Sequence, residues 1–231
     1  MGKRFAEVDC VVVVAYGGLV PADLLAIPQH GWLNLHFSLL PQWRGAAPVP
    51  YAIWNGDQIT GATVFRLDEG LDTGPVLGSV TTTIAADDTA TTLLATLTEL
   101  GAGLVSRVVD GLGAGVLTAV AQDHGVATYA GKISVDDARV RWDEPAVAID
   151  RRIRAMTQAP GAWTMAQQVR LKLGPVALRP DVVDIEAGRV AVRQGVALVG
   201  TATHAVQLGQ VLRPGKNWAM ADSRLDGITL T

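Results

Sequence analysis

The sequence predicts an α/β first half followed by a small β-rich second half. Residues 10–15, CVVVVA, are a β-branched run without a polar break, the pattern of a strand buried on both faces of a parallel sheet. Segments of strand and helix length alternate from there to Gly113, as an α/β layer requires. Beyond Val169 the period becomes two. VRLKL sets Val169, Leu171 and Leu173 against Arg170 and Lys172, and GRVAV (188–192) and AVQLGQVL (205–212) read as strands in the same way.

Taken in order, Pro21 opens a short helix through Ala26, and a strand follows over Trp32–His36. A helix is expected over Ala46–Asn55, then strands over Gly61–Leu67 and Val76–Thr83. Asp87 and Asp88 offer N-cap chemistry to a helix in which Leu93, Leu97, Leu100, Leu104 and Val108 recur at helical spacing, ending near Gly111 and Gly113. Val120–Asp137 holds neither period and reads as a linker; a helix then covers Pro145–Met156. The expected organisation is a first domain over 1–119, a linker over 120–137 and a β domain over 138–231.

With 231 residues, 49% of them hydrophobic, and a mean hydropathy of +0.27, the chain can bury a sizeable core. Its longest apolar run, Cys10–Val20, stops at Pro21, short of the roughly 18 residues of a spanning helix. MGKRFAEVDC leads into a run of strand length rather than a secretory h-region. The expectation is a cytoplasmic protein without a membrane partner. Cys10 is the single cysteine, which excludes an intrachain disulfide and any zinc site of several cysteines. The net charge of −3 is unevenly spread. Residues 1–130 hold 5 Lys/Arg against 12 Asp/Glu, net −7, and residues 131–231 hold 14 against 10, net +4. A basic half suggests a polyanionic partner.

Asn34 and His36 stand two apart in NLHFSLLPQWRGAAP (34–48), so a strand there projects both from one face. They are either satisfied buried polar residues or part of a site at the carboxyl end of a sheet strand. Asp72, between Gly70 and Gly74 in DEGLDTGP, is either an ordinary turn residue or a third member. Amide, imidazole and carboxylate together suit acyl transfer between amines. The amide and a protonated imidazole donate to an oxyanion, and the carboxylate orients the imidazole and helps move the proton. No G-x-S-x-G elbow is present.

NLHFSLLP resembles the N-x-H-x-S-L-L-P signature of folate-dependent formyltransferases, and QWRGAAP is similar to the methionyl-tRNA formyltransferase branch. AYGGLVP before it, GLDTGP after it, and TYAGKI, ARVRWD, IRAMTQAPGAWT and RPGK further on extend the likeness over most of the chain. The resemblance implies a partial Rossmann-like formyltransferase domain followed by an OB-like β-barrel that grips tRNA. It implies transfer of a formyl group from 10-formyltetrahydrofolate to the methionine amino group of initiator Met-tRNA, releasing tetrahydrofolate, by Asn34, His36 and Asp72 without a metal, in a chain that is monomeric when complete. The folate pocket it implies takes Ala15, Tyr16, Gly17, Gly18, Leu19 and Val20, then Ser38, Leu39, Leu40 and Pro41, and Asp68, Gly70, Leu71 and Thr73. Gly17 and Gly18 suit either a close backbone approach or a plain turn. For tRNA, the candidates are Arg44, Lys132, Arg152, Arg154, Lys172, Arg213 and Lys216. Arg44 is equally suited to phosphate or to structure, and the rest are either contacts or solvated surface.

Two features depart from the family pattern. At least one βαβ unit, on the order of 30 residues, is expected before Met1; without it the Val-rich strand would lie at a sheet edge with unpaired backbone groups. The tail RLDGITLT has Asp226 where a basic residue is expected, which weakens an RNA role for the last residues. The alternatives are a formyltransferase acting on a sugar-nucleotide or glycinamide ribonucleotide amine, and a non-catalytic RNA-binding remnant.

Overall fold

A computed structural model describes residues 5, 7–16, 18–157 and 159–231. It divides into two compact units. One takes the chain up to Ala52 with Asp57–Ala85 and Thr92–Lys132, and the other takes Ile53–Gly56, Ala86–Thr91 and Ile133–Thr231. The elements through residue 130 are β1 (Val11–Val14), α1 (Ala22–Leu25), β2 (Trp32–His36), β3 (Arg44–Gly45), α2 (Pro48–Asn55), β4 (Ile59–Arg66), β5 (Val76–Thr83), α3 (Ala90–Gly113) and β6 (Tyr129–Ala130).

The first unit is built on a sheet ordered β1-β2-β4-β5, in which β1 and β2 are parallel and the other pairs antiparallel. The expectation of a parallel sheet is corrected, since only its β1–β2 pair is parallel, while the Val-rich strand holds the edge position expected of it when no upstream strand is paired. Among the described residues β1 is the edge strand, with Val11–Val13 half-buried and Val14 exposed. A β-branched run reports fit to a pleated surface as much as burial. Leu33 and Leu35 of β2, Ala62 and Val64 of β4 and Leu77 of β5 pack with Leu104, Val108 and Leu112 of α3. α3 approaches β2 closely: a Cβ on Gly101 would lie 2.7 Å from Leu35 Cδ2. By length and composition alone this 24-residue helix is apolar enough to span a membrane. It buries Leu93, Leu97, Leu104 and Val108 while exposing Thr98, Glu99 and Asp110, the one-sided pattern of a core helix.

Part of the expected linker is folded. Val120 pairs with Val76, Asp123 caps a 3₁₀ turn over His124–Val126, and β6 lies parallel to β3. Single pairings of this kind leave no period in the sequence.

The second unit contains α4 (Ala146–Ala155), β7 (Trp163–Ala166), β8 (Val169–Leu173), β9 (Ala177–Arg179), β10 (Val190–Arg193), β11 (Val196–Val199), β12 (Ala205–Gln207), β13 (Gln210–Leu212) and β14 (Ala219–Met220). Among the described residues these strands form two four-stranded antiparallel sheets, β10-β11-β12-β9 and β14-β13-β8-β7, without a closed barrel, in the domain expected to be a small OB-like β-barrel. AVQLGQVL is two strands in different sheets, broken at Gly209, where a Cβ would lie 2.5 Å from the Pro175 carbonyl oxygen. The last residues bridge both sheets. Thr229 pairs with Arg189, at the start of β10, while Leu230 pairs with Ala166 of β7. Thr231 and Met165 exchange backbone hydrogen bonds of 2.7 and 3.0 Å.

Candidate active site

β2 runs in register between β1 and β4 and carries Asn34 and His36 on one face. His36 is buried and stands edge-on to Phe65, with ring centroids 6.4 Å apart. Its Nε2–H donates to the Trp43 carbonyl oxygen at 2.8 Å. A carbonyl can only accept, so this bond fixes the tautomer and leaves Nδ1 facing Asp72 Oδ2 at 3.7 Å. Burial holds the imidazole below the ordinary histidine range, opposed in part by the Asp72 carboxylate and the Trp43 carbonyl. The neutral form of the imidazole is thereby favoured.

Both residues that face His36 have left-handed backbones, Trp43 at φ +58° and Asp72 at φ +53°. Such conformations cost about 1–3 kcal/mol and persist where neighbours enforce them. Trp43 is held by its N–H on Thr128 Oγ1 and its indole N–H on Asp57 Oδ2. Asp72 Oδ2 accepts the Gly45 N–H at 2.7 Å. At 3.7 Å neither the lone pair on Nδ1 nor the carboxylate can donate to the other, so an N–H donor placed beside both is attracted by both. The pair is a proton-accepting position. On the same strand the buried Oδ1 of Asn34 has no hydrogen-bond partner, a situation that ordinarily costs about 1–3 kcal/mol.

A cavity of about 220 Å³ opens over this pair, lined by Tyr16, Gly18, Leu19, Val20, His36, Gly45, Ala46, Leu67, Asp68, Gly70, Leu71 and Asp72. The structure thus brings seven of the expected folate contacts together with His36 and Asp72. Gly17 lies outside the described residues. Ala15 and Asn34 do not line the cavity, and Thr73 bonds Asp68 Oδ1 through its hydroxyl, 2.6 Å away. Ser38–Pro41 do not line it either. The Ser38 hydroxyl donates to Gln42 O, Leu39 covers Gly61, the Leu40 N–H donates to Thr63 Oγ1, and Pro41 O accepts the Thr128 N–H. This loop shapes the strand end from behind. Gly45, Ala46 and Leu67 went unnoticed in the sequence, although the WRGAA context of Gly45 was a usable signal.

Three of the expected tRNA contacts have their guanidinium groups engaged internally. Arg44 is 1% exposed and donates to Gln122. Arg152 makes a two-pronged pair with Glu144 at 2.9 Å and lies over the Trp54 ring, and Arg154 donates to Asp150 Oδ2 and Asp88 O. Lys172 Nζ donates to Pro160 O at the wall of a 470 Å³ cavity that also includes Trp218 and Gln210. Arg213 is half-buried 3.9 Å from Asp222. Lys132 and Lys216 are exposed. Exposed Arg139 and Arg170, which the sequence reading did not select, stack on Trp163.

The profile of the formyl transferase family matches residues 3–109, and that of the formyl transferase C-terminal domain matches residues 132–228. The chain belongs to the formyl transferase family. The methionyl-tRNA formyltransferase of Rhodococcus erythropolis is 52% identical over 226 residues, covering 95% of this chain and 73% of the relative. That of Mycolicibacterium gilvum is 54% identical over 209 residues, covering 90% and 67%. Among solved structures, HypX from Aquifex aeolicus in complex with tetrahydrofolic acid superposes with a TM-score of 0.74 at 18% identity, over 96% of this chain and 39% of that one. The sugar 3N-formyl transferase WlaRD gives 0.71 at 15%, over 92% and 77%. These two likenesses show that the formyl transferase fold is shared.

Proposed function

We propose that this formyl transferase moves a formyl group from 10-formyltetrahydrofolate to the amino group of methionine on initiator Met-tRNA, with Asn34, His36 and Asp72 as the catalytic set. The observation that carries the reading is the buried His36, its Nε2–H fixed on Trp43 and its Nδ1 beside Asp72, at the floor of the cavity. The names of the relatives that are about half identical support the substrate.

In this reading Tyr16, Leu19 and Leu71, apolar and exposed at the cavity wall, receive the pterin end of the donor. The methionine nitrogen attacks the formyl carbon, forming a C–N bond and an oxyanion that the Asn34 side-chain amide stabilises. Neutral His36 accepts a proton from that nitrogen, and Asp72 stabilises the imidazolium so formed. As the bond from the formyl carbon to folate N10 breaks, the proton passes to N10 and tetrahydrofolate leaves. Residues 1–119 carry the chemistry, 120–137 connect, and 138–231 hold tRNA as a variation on an OB-like module, in a cytoplasmic monomer. The deciding experiment is single-turnover transfer from 10-formyltetrahydrofolate to Met-tRNA. Transfer to a sugar-nucleotide amine with none to Met-tRNA would overturn the assignment.

The pH dependence has a definite sign. His36 titrates below the usual value of about 6.5, so its own protonation slows transfer only as pH drops through the lowered folded-state value, below the range in which the methionine α-amino group, of ordinary pKa about 7.7–8.0, takes up its proton. Its contribution to stability runs the same way: below about 6.5 the unfolded chain takes up the proton first, so stability declines as pH falls. NMR titration of the His36 ring protons separates the two groups, and a midpoint at or above about 6.5 would show an imidazole of another character.

Exposed Lys132, Arg139, Arg141, Arg170, Arg189 and Lys216 are the cations offered to tRNA phosphates. Affinity for tRNA is expected to fall steeply as salt rises, because each neutralised phosphate releases counterion. Lys216→Ala is expected to flatten the slope of log affinity against log salt by about one contact. A slope unchanged in Lys216→Ala would remove that residue from the interface.

A further inference from the structure

Arg44, with its buried guanidinium, meets a single carboxamide. Gln122 is itself buried, and all four of its hydrogen-bonding positions are used. Oε1 accepts from Arg44 Nε at 3.1 Å and from Nη2 at 2.7 Å, while Nε2 donates to Asp72 O at 2.9 Å and to Gly74 O at 2.7 Å. The partners settle which end of the amide is which, since a guanidinium only donates and carbonyls only accept. Gln122 therefore grips the turn on both sides of Thr73. That turn has no slack: a Cβ on Gly74 would lie 1.8 Å from the Arg66 carbonyl oxygen. Arg44 adjoins Gly45, whose N–H holds the Asp72 carboxylate. Asp72 is thus fastened at its carboxylate by Gly45 and at its carbonyl by Gln122, and Arg44 joins the two fastenings.

We propose that Gln122 is a positioning residue for Asp72: together with Arg44 it holds the Asp72–Gly74 turn in the left-handed conformation that aims the carboxylate at His36 Nδ1. The role rests on the reading of His36 and Asp72 as the proton-handling pair. It calls for a side chain with two acceptor positions toward a guanidinium and two N–H donors toward carbonyls, which only a carboxamide supplies. Glutamate at this position keeps the Arg44 contact but turns a carboxylate oxygen toward two carbonyls. Methionine keeps the volume and none of the bonds.

The test uses two readouts on the full chain, the titration midpoint of His36 followed by NMR of its ring protons and the single-turnover transfer rate. Asp72→Ala is expected to lower the midpoint, because it removes the carboxylate that opposes burial. Gln122→Met is expected to move the midpoint in the same direction and to slow transfer at least ~10-fold, since small misplacement of a catalytic group costs that much or more. Added to Asp72→Ala, it is expected to change neither readout further. Should Gln122→Met not fold, Gln122→Glu carries the test, with transfer at least ~10-fold slower at a Tm near the parent's. A parent-like midpoint and rate in Gln122→Met, a parent-like rate in Gln122→Glu, or a full additional loss in the Asp72→Ala background would overturn the positioning role. If Asp72→Ala moves both readouts and Gln122→Met neither, that role alone fails; if Asp72→Ala itself moves neither, the catalytic reading fails and takes the role with it.

Discussion

Replacing His36 by Ala slows single-turnover formyl transfer at least ~10²-fold, the scale of losing a positioned general base. The loss is expected at the chemical step. His36 is the floor of the cavity, so the walls that meet the donor stay in place and the donor's Kd changes little. Asp72→Ala and Asn34→Ala are expected on the same scale for different reasons. The first removes the charge that steadies an imidazolium in a buried site. The second removes the side-chain amide assigned to the oxyanion, a loss of about 10²–10³-fold where such donors have been deleted. Quenched-flow measurement with saturating donor separates rate from binding. A His36→Ala protein transferring at the parent rate would place the proton acceptor elsewhere.

Gly45→Ala is expected to lower stability and transfer together. Gly45 sits at φ +115°, a conformation that L side chains rarely adopt, and a Cβ there would lie 2.6 Å from the Ala130 carbonyl oxygen. Backbone strain and the forced opening of the β3–β6 pair together come to about 3 kcal/mol, or roughly 6–12 °C in Tm for a chain of this size. The same displacement draws the Gly45 N–H away from Asp72, so the transfer rate falls alongside Tm. A variant that keeps both would mean that the β3–β6 pairing yields without strain.

The pieces of this fold that could be read from the sequence are those with many equivalent contacts. Trp32–His36, Val76–Thr83 and Val169–Leu173 have the observed bounds because side-chain alternation or β-branched content marks every residue. The α3 stripe is legible for the same reason, and the two-residue period alone places Asn34 beside His36. What could not be read depends on single long-range bonds. Gln122 lies in a stretch without periodicity, and nothing in one sequence signals that its amide reaches a turn 50 residues away. Arg152 and Arg154 illustrate the converse, since a charge count treats every arginine as surface whereas Glu144 and Asp150 draw these two inward. The split of AVQLGQVL needed the Pro175 carbonyl pressed against Gly209.

The bridging of both sheets of the second unit by residues 228–231 sets an order on biogenesis. Domains fold as they leave the ribosome, N-terminal parts first. Here the strands of the two sheets can pair first, because the segment that bridges them is synthesised after them. Until Leu230 has cleared the ribosome, the backbone groups of Ala166 and Arg189 that it and Thr229 will meet remain open to other strands.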